Sequence, residues 1–428
     1  MINIEEKLVN KNNIYFHTIS TKKFKTINVI VKCKAPLSRD TITKRALLPY
    51  VLQQGTKNYP SEKELMIKLD ELYGAILTVD GVKKGNNHVL SFRLEFANEK
   101  YIDNESTIMQ GALQLLKEFI FSPHLDGDKF PEKIVEREKL TLKNKITSIY
   151  DDKIAYANMR LIDEMFENEL FQIHTNGYEE DLQTITATDL YTYYQSVLET
   201  DRMDIYILGD IDEQMVNEQL INTFERDSFH ELPEVTENPK QIEEIKEVIE
   251  TQPVQQAKLH IGYRTNCTYK DENYFALQVF NGLFGGFPSS KLFINVREKN
   301  SLAYYASSRI ESHKGLLIVF SGIEPADYKQ ARAIIDEQMN AMKNGNFTDD
   351  EMEEIKDLII SEIEETLDHS QGIIELLYQQ VIGKKTVTPL EFVQGVKEVS
   401  KDDILEVANQ IERDTVFLLT NEGGRENE

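Results

Sequence analysis

The 428-residue sequence has only two cysteines, Cys33 and Cys267. Two thiols cannot build a disulfide framework or a thiolate metal site. Long apolar runs are also missing, because the uncharged stretch 273–290 is interrupted by asparagine, glycine and proline and could not span a bilayer as a helix. The first residues do not show a basic segment followed by an apolar one, so no signal peptide is expected. These absences predict a cytoplasmic protein that does not act in a membrane.

Positive charge is in deficit along the chain. There are 48 Lys and Arg residues against 73 Asp and Glu residues, which gives a formal net charge of −25 at pH 7. Nucleic acids and anionic membrane surfaces carry charge of the same sign, so the balance argues against either as the main partner. Basic peptides are compatible with it, and so is the simpler interpretation of an ordinary acidic globular protein.

The sequence also lacks the common signatures of a hydrolase. A zinc hydrolase needs at least three converging ligands, which His-x-x-Glu-His or His-Glu-x-x-His supplies from one helix face. Neither motif occurs, and no two of the eight histidines lie within five residues of each other. Glu365 and His369 are one helical turn apart, but a solvated helix contact explains them better than a metal site. A phosphate-binding loop and a nucleophile elbow are absent too. From its residues alone, the sequence favours a binding protein over an enzyme.

The two halves of the chain follow the same order of predicted elements. In the first half, strand 26–33 leads to an apolar helix that ends at Gly55; in the second, strand 257–263 leads to one that ends at Gly285-Gly286. Each half then continues with a helix, two strands, two long helices, a capped helix and a last strand. Capping boxes at Thr186 and Ser400 start the capped helices. This order predicts an α+β fold with two homologous domains, each a mainly antiparallel sheet with helices on one face.

A linker is predicted between the domains. The segment 225–254 is rich in glutamate, is interrupted by Pro233, Pro239 and Pro253, and has few apolar residues for a core. We therefore expect an N-terminal domain over 1–224, an acidic linker over 225–254 that wraps outside, and a C-terminal homologous domain over 255–428.

Two sequence strings carry a family resemblance. The first, 55–65, begins with Gly-Thr and continues through Pro-Ser to Glu-Leu; the second, 290–304, contains Arg-Glu-Lys and ends in Leu-Ala-Tyr. Together they resemble the pitrilysin/insulinase family of zinc peptidases, in particular half-length members similar to mitochondrial processing peptidase. The resemblance covers essentially the whole chain and implies the metallohydrolase fold of that enzyme. The chain is also similar to the metal-free half of paired proteins associated with modification of elongation factor P in Gram-positive bacteria.

In active members of that family, the helix before Gly-Thr carries His-x-x-Glu-His. Here those positions are 46–50: Ala46 and Tyr50 replace the imidazoles, and Pro49 replaces the carboxylate base. Because proline inside a helix costs about 3 kcal/mol or more, we expect the helix to bend or restart there. The family's third ligand, a glutamate, is expected on the helix containing 140–146, where its nearest equivalents are Asn144 and Lys145. The resemblance therefore implies a chain without zinc or another cofactor that is inactive alone.

The resemblance also implies that the part of the family's active site supplied by the C-terminal domain is retained. Arg297 and Tyr304 have the spacing of a family pair that hydrogen-bonds the substrate carbonyl, where two donors stabilise developing negative charge. The alternative is that Arg297 pairs with a nearby carboxylate and Tyr304 is an ordinary strand residue. Gly285 and Gly286 resemble a glycine-rich substrate loop, or else form a helix end that needs positive φ.

The predicted function follows from this combination. We expect the non-catalytic subunit of a heteromeric complex, in which a paralogous zinc-bearing peptidase subunit supplies the metal and a peptide is the substrate. The peptide would add a strand at the sheet edge 75–79, unless a loop covers that edge. The alternative is a stand-alone peptide-binding or scaffold protein with no peptidase activity.

Overall fold

The computed structural model describes residues 4–102, 107–233, 235 and 242–422. The N-terminal half forms a six-stranded sheet in the order β1-β2-β6-β3-β5-β4. Strands β2 and β6 run parallel, and the other neighbours are antiparallel. The strands are β1 (Glu6–Lys11), β2 (Ile14–Ser20), β3 (Thr26–Pro36), β4 (Ile76–Lys84), β5 (Asn87–Ala97) and β6 (Arg202–Gly209).

The C-terminal half repeats this plan with a five-stranded sheet in the order β7-β11-β8-β10-β9. Its one parallel pair in the described chain, β7 with β11, corresponds to β2 with β6. The strands are β7 (Lys246–Thr251), β8 (Ala257–Arg264), β9 (Ala303–Glu311), β10 (Leu316–Ile323) and β11 (Glu412–Thr420). Strand β7 lies inside the segment predicted as a linker, so part of that segment is built into the sheet.

Helices cover one face of each sheet, as the sequence predicts. The predicted capping boxes at Thr186 and Ser400 are confirmed, each with an aspartate at the third helical position. The N-terminal helices are α1 (Ile42–Leu52), α2 (Glu62–Glu71), α3 (Ile108–Phe121), α4 (Glu132–Thr147), α5 (Lys153–Met165), α6 (Ala187–Thr200) and α7 (Glu213–Thr223). The C-terminal helices are α8 (Tyr274–Asn281), α9 (Tyr328–Lys343), α10 (Asp349–Thr366), α11 (Ser370–Gly383), α12 (Pro389–Glu398) and α13 (Lys401–Gln410), with π-helical segments at Gly282–Gly286 and Phe293–Lys299.

The opposite face of each sheet is covered by a helix from the other half. Helix α5 packs on the C-terminal sheet, where Leu161 and Met165 share a buried cluster with Ile318 and Phe417. Helix α11 does the converse on the N-terminal sheet, where its apolar residues pack against β3 and β6. This exchange, which the sequence analysis did not anticipate, joins the two halves through buried apolar surface.

Candidate functional site

Helix α1, which carries the positions of the missing zinc motif, continues through Pro49 to Leu52. The helix therefore does not restart at the proline. Ala46 and Pro49 are buried in the N-terminal core, and Tyr50 is partly buried against it. Pro49 cannot donate to the carbonyl of Arg45, one turn earlier. The loss is tolerated in a helix that is held on other sides by tertiary contacts.

The main polar anchor of α1 is the side chain of Arg45, which is 2% exposed. Its guanidinium donates to the Asp201 carboxylate at 2.6 Å and to the Cys33 carbonyl at 2.7 Å. Burial alone lowers the pKa of Arg45, but the Asp201 carboxylate outweighs this and holds the pKa above its ordinary value. The pair ties α1 to β3 and to the end of α6, so the frame that carries the motif positions is rigid although its ligands are absent.

One carboxylate faces α1 from α4. Glu138 is 5% exposed and receives a hydrogen bond from Arg137 at 2.6 Å. Burial, followed by the charge of Glu138, raises the pKa of Tyr50, the residue at the second imidazole position. Asn144 and Lys145, expected at the third-ligand position, are exposed. The buried acid of α4, Glu138, lies before the interval 140–146, and the third-ligand equivalent stays a prediction.

A sequence signal for Glu138 did exist. The buried residues of α4 are Val135, Glu138 and Leu142, so the glutamate interrupts an apolar stripe at helical spacing. A single carboxylate is still far from a metal centre. In the described part of the chain, no group of three or more His, Cys, Asp or Glu side chains is arranged to hold a metal ion.

Arg297 and Tyr304 both lie at the surface. Arg297 is exposed on the π-helical segment Phe293–Lys299, with its guanidinium 4.6 Å from the Phe293 ring centroid. Within the described residues no carboxylate pairs with it, so the ion-pair alternative is not what the structure shows. Tyr304, at the start of β9, is 65% exposed and donates its hydroxyl to Glu324 at 3.2 Å. Both side chains can therefore be reached from outside.

The two glycines of the candidate loop have different environments. Gly285 is buried, and a Cβ there would lie 2.5 Å from the Ser308 hydroxyl oxygen and 2.7 Å from Leu292. Gly286 is exposed, and a Cβ at this position would lie no closer than 3.0 Å to another atom, the Asn281 side-chain nitrogen. Neither glycine has positive φ, so that part of the alternative explanation is wrong. Gly285 is required for close packing against β9, and Gly286 is the one available to a ligand.

The sheet edges meet at a cavity between the halves. The predicted strand 75–79 falls in β4, which lies at an edge of its sheet among the described strands, as β9 does in the other sheet. The cavity, of about 750 Å³, is lined by the ends of β4, β9 and α4, by α5 and by the loop 171–180. None of the motif positions in α1, nor Arg297 or Tyr304, lines it. Sequence reasoning missed this cavity.

Polar side chains are built into the cavity wall. The Nε2 atom of His174 lies 2.8 Å from an Asp163 oxygen. Lys83 donates to the carbonyls of Phe171 at 2.7 Å and Ile173 at 3.2 Å, and burial lowers the pKa of Lys83 to about 8. The wall is therefore a partly desolvated surface on which polar groups have fixed positions.

Comparison with known proteins identifies the family. The model described as Peptidase M16 inactive domain matches residues 184–359. The probable inactive metalloprotease YmfF of Bacillus subtilis (strain 168) is 47% identical over 409 residues, which are 94% of this chain and 95% of that one. The chain belongs to the M16 family of peptidases. The resemblance to the pitrilysin/insulinase peptidases is thereby confirmed for a member without the His-x-x-Glu-His motif.

Two further proteins, one with a solved structure and one known by sequence, are similar to this M16 family member. A conserved protein from Enterococcus faecalis V583, known as a crystal structure, is 33% identical, covers 99% of both chains and superposes with a TM-score of 0.89. The uncharacterized zinc protease YmxG of Bacillus subtilis (strain 168) is 24% identical over 58% of each chain. The link to elongation factor P stays a prediction. No helix in the described ranges is long and apolar enough to cross a membrane.

Proposed function

We propose that this M16 family member is the non-catalytic subunit of a heteromeric peptidase-like complex. It contributes peptide binding and the Arg297/Tyr304 pair to the active site of a partner that carries the zinc. The observation that supports this most is the contrast between a motif helix without ligands and two exposed hydrogen-bond donors that no buried structure requires.

The motif helix cannot supply catalysis by itself. A catalytic zinc needs three protein ligands and an open position for water. Ala46, Pro49 and Tyr50 provide neither an imidazole nor a carboxylate, and Glu138 offers only one carboxylate. The chain therefore binds no catalytic zinc of its own, and the metal belongs to the partner.

Arg297 and Tyr304 have the chemistry needed to act on a partner's substrate. A guanidinium and a phenol can both donate to a carbonyl oxygen as negative charge develops on it. The guanidinium rests on an aromatic ring and is not neutralised by a described carboxylate, and the phenol is held by a single hydrogen bond to Glu324. Both donors can turn toward a substrate carbonyl without breaking the core.

A paralogous chain is the natural partner. The probable inactive metalloprotease YmfF and the uncharacterized zinc protease YmxG, both similar to this chain, come from the same bacterium. One organism therefore has both a relative named as a probable inactive metalloprotease and a relative named as a zinc protease. The peptide would lie along an edge strand, β4 or β9, where unpaired backbone groups accept an added strand.

The test is peptide cleavage by a mixture of this chain with its zinc-bearing paralogue. We expect Arg297→Ala to lower the kcat of the mixture by roughly 10²–10³-fold, the effect of removing one donor from an oxyanion site. Lys299→Ala, which removes another exposed cation of the same π-helical segment, is the matched control and should leave the rate unchanged. Full activity with Arg297→Ala would show that the donor role is wrong.

The cavity favours a second candidate, a peptide-binding protein without catalysis in any assembly. The cavity is formed by the two halves of a single chain and needs no partner. This candidate predicts peptide affinity that persists without the paralogue and without metal. It also predicts that the chain and the paralogue, when mixed, elute separately on size exclusion.

A further inference from the structure

We propose that the cavity between the two halves is an imine-forming site, in which the Lys83 amine condenses with a small apolar aldehyde and the His174 imidazole carries the protons. This activity goes beyond the peptidase-like role and does not depend on a partner chain. Three observations carry it: a lysine amine in the cavity wall, an imidazole that a carboxylate holds in the same wall, and apolar side chains around both.

The Lys83 side chain, near the end of β4, lines the cavity. Its Nζ atom donates to the carbonyl oxygens of Phe171 at 2.7 Å and Ile173 at 3.2 Å, and it lies 4.1 Å from the centroid of the Phe171 ring. An uncharged amine has two hydrogens and one lone pair. Because the two carbonyls can accept both hydrogens, the lone pair is left to attack a carbonyl carbon in the cavity.

The charge state of Lys83 suits a nucleophile. Burial lowers its pKa to about 8; the Asp163 and Glu311 carboxylates oppose this effect, and the Lys314 ammonium reinforces it. At pH 7 about one amine in ten is then uncharged, against fewer than about one in a thousand for an ordinary lysine. A lysine that is desolvated in an apolar pocket is a typical imine-forming nucleophile.

The imidazole of His174 is fixed in the same wall. Its Nε2 atom lies 2.8 Å from an oxygen of Asp163, and its ring stacks on Tyr178 with the two centroids 4.8 Å apart. A carboxylate that binds one imidazole nitrogen orients the ring and leaves the other nitrogen, here Nδ1, for proton transfer. Ile173, whose carbonyl accepts from Lys83, directly precedes His174, so one short segment places both the amine and the imidazole.

The proposed reaction balances without an oxidant or a reductant. The Lys83 nitrogen attacks the aldehyde carbon, which forms the C–N bond and moves the carbonyl electron pair onto oxygen. His174 takes a proton from the nitrogen and passes it to that oxygen, which gives a neutral carbinolamine. Water then leaves as the nitrogen lone pair forms the C=N bond, and the remaining N–H proton reaches the departing hydroxyl through His174.

The cavity lining selects the class of aldehyde. Apolar side chains from both halves line it, among them Val82, Met159 and Leu316. The charged side chains Lys145, Arg309 and Glu311 also line the cavity, and because both signs are present, neither sign of ligand charge is strongly favoured. The volume of about 750 Å³ is within the usual range for small-molecule pockets. An uncharged aldehyde with an apolar body therefore fits best.

The test follows imine formation between benzaldehyde and the unaltered chain, without metal or paralogue. Sodium borohydride added at intervals reduces any imine to a stable benzyl-lysine, and mass spectrometry of the digested chain gives a labelling rate for each lysine. At pH 7 we expect Lys83 to be labelled at least roughly tenfold faster than Lys299, an exposed lysine of the π-helical segment. The Lys83 rate should level off above about pH 8.

Two variants separate the roles of the amine and the imidazole. Lys83→Arg keeps a cation that can donate to the same carbonyls, and the fast labelling should disappear. His174→Asn should slow the labelling of Lys83 at least roughly tenfold while the pH midpoint stays near 8, because the proton carrier is lost and the surroundings of the amine are kept. An unchanged rate, or a midpoint that moves toward the ordinary lysine value, would overturn the role of His174.

Lys32 is the matched buried control, since its side chain is fully buried and does not line the cavity. We expect no labelling of Lys32. Labelling of Lys83 no faster than that of Lys299 would overturn the proposal and leave Lys83 as a structural tie between β4 and the loop 171–180. Equal labelling of Lys83 and Lys32 would also overturn it, because local opening of the fold would then expose both amines. These readings use the unaltered chain, so they do not depend on whether a variant folds.

Discussion

Glu375 of α11 forms an ion pair with Lys32, a lysine that is fully buried in the sheet of the opposite half. Lys84 also contacts this carboxylate, at 3.2 Å. The arrangement has a counterpart at the other exchanged helix, where Glu169, just beyond α5, binds Arg264 of the C-terminal sheet at 2.7 Å. Each half thus receives both an apolar helix and a carboxylate from the other.

Removing Glu375 should destabilise the protein strongly. In Glu375→Leu, Lys32 stays buried without its carboxylate partner. We expect the free energy of unfolding in urea to fall by roughly 3 kcal/mol, because a broken buried ion pair leaves an uncompensated charge. The double variant Lys32→Met/Glu375→Leu should recover most of the loss, since both charges are then absent. A loss below about 1 kcal/mol in the single variant, typical of a surface pair, would contradict this account.

His17 should make stability depend on pH. Burial alone lowers its pKa, but hydrogen bonds to Asp204, at 3.0 Å, and Glu6, at 2.6 Å, outweigh this and raise the pKa above the ordinary 6.5. The Tyr206 ring stacks on the imidazole, and Arg202 pairs with Asp204 at 2.9 Å. Because the folded state holds the proton more tightly, this contribution to stability is fully present below pH 6.5 and is lost as pH rises through the folded pKa.

The measurement is the difference in free energy of unfolding between the unaltered chain and His17→Asn. We expect the difference to be largest near pH 6 and to shrink toward pH 9, with the transition above the ordinary pKa of about 6.5. His369→Asn, at an exposed position, should show no such trend. A difference that grows with pH would reverse the sign and refute the role of the two carboxylates.

Alanine substitutions at Gly285 and Gly286 should distinguish an effect on packing from an effect on ligand binding. Gly285→Ala forces a Cβ against Ser308 and Leu292, so we expect a loss of about 1–3 kcal/mol in stability, as is usual for overpacked sites. Gly286→Ala has more room and should cost under about 1 kcal/mol. Thermal unfolding checks both. If Gly286 contacts substrate, its variant alone should weaken peptide binding without lowering Tm; equal stability losses would contradict the difference in packing.

Much of the repeated fold could be predicted from the sequence, because local patterns determine it. The β-branched run 26–33 forms the first eight residues of β3, and 257–263 forms all but the last residue of β8. The caps at Thr186 and Ser400 formed as short-range hydrogen bonds require. The exchange of α5 and α11 could not be predicted, because an apolar stripe such as Leu161 and Met165 does not specify which sheet it covers.

The candidate site was less predictable for a related reason. Spacing along the chain identifies Arg297 and Tyr304 as a pair, and both are exposed as that role requires, but the role stays a prediction. The cavity is built from Lys83, Asn158 and Glu311, which are far apart in sequence and meet only through the helix exchange. No local pattern reports such a meeting.

Glu138 allows a direct test of the expectation that the chain binds no zinc because its motif ligands are replaced. It is a buried residue of α4 whose charge acts on Tyr50, and α1 keeps its helical course through the motif. Ala46→His/Pro49→Glu/Tyr50→His would therefore present two imidazoles on one helical face beside an existing carboxylate, which is the ligand set of a catalytic zinc site. Replacing Pro49 also restores the amide donor for the Arg45 carbonyl.

We expect this triple variant to retain about one zinc per chain after dialysis, measured by atomic absorption, and the unaltered chain to retain none. Adding Glu138→Gln to the triple variant should weaken zinc binding by at least roughly tenfold, because the third ligand loses its charge. A folded triple variant without zinc would show that the frame itself has changed. Zinc binding that ignores Glu138→Gln would show that another group supplies the third ligand. If zinc binding by the triple variant depends on Glu138, the residues at positions 46, 49 and 50 of α1 are sufficient to explain why the unaltered chain retains no zinc in this experiment.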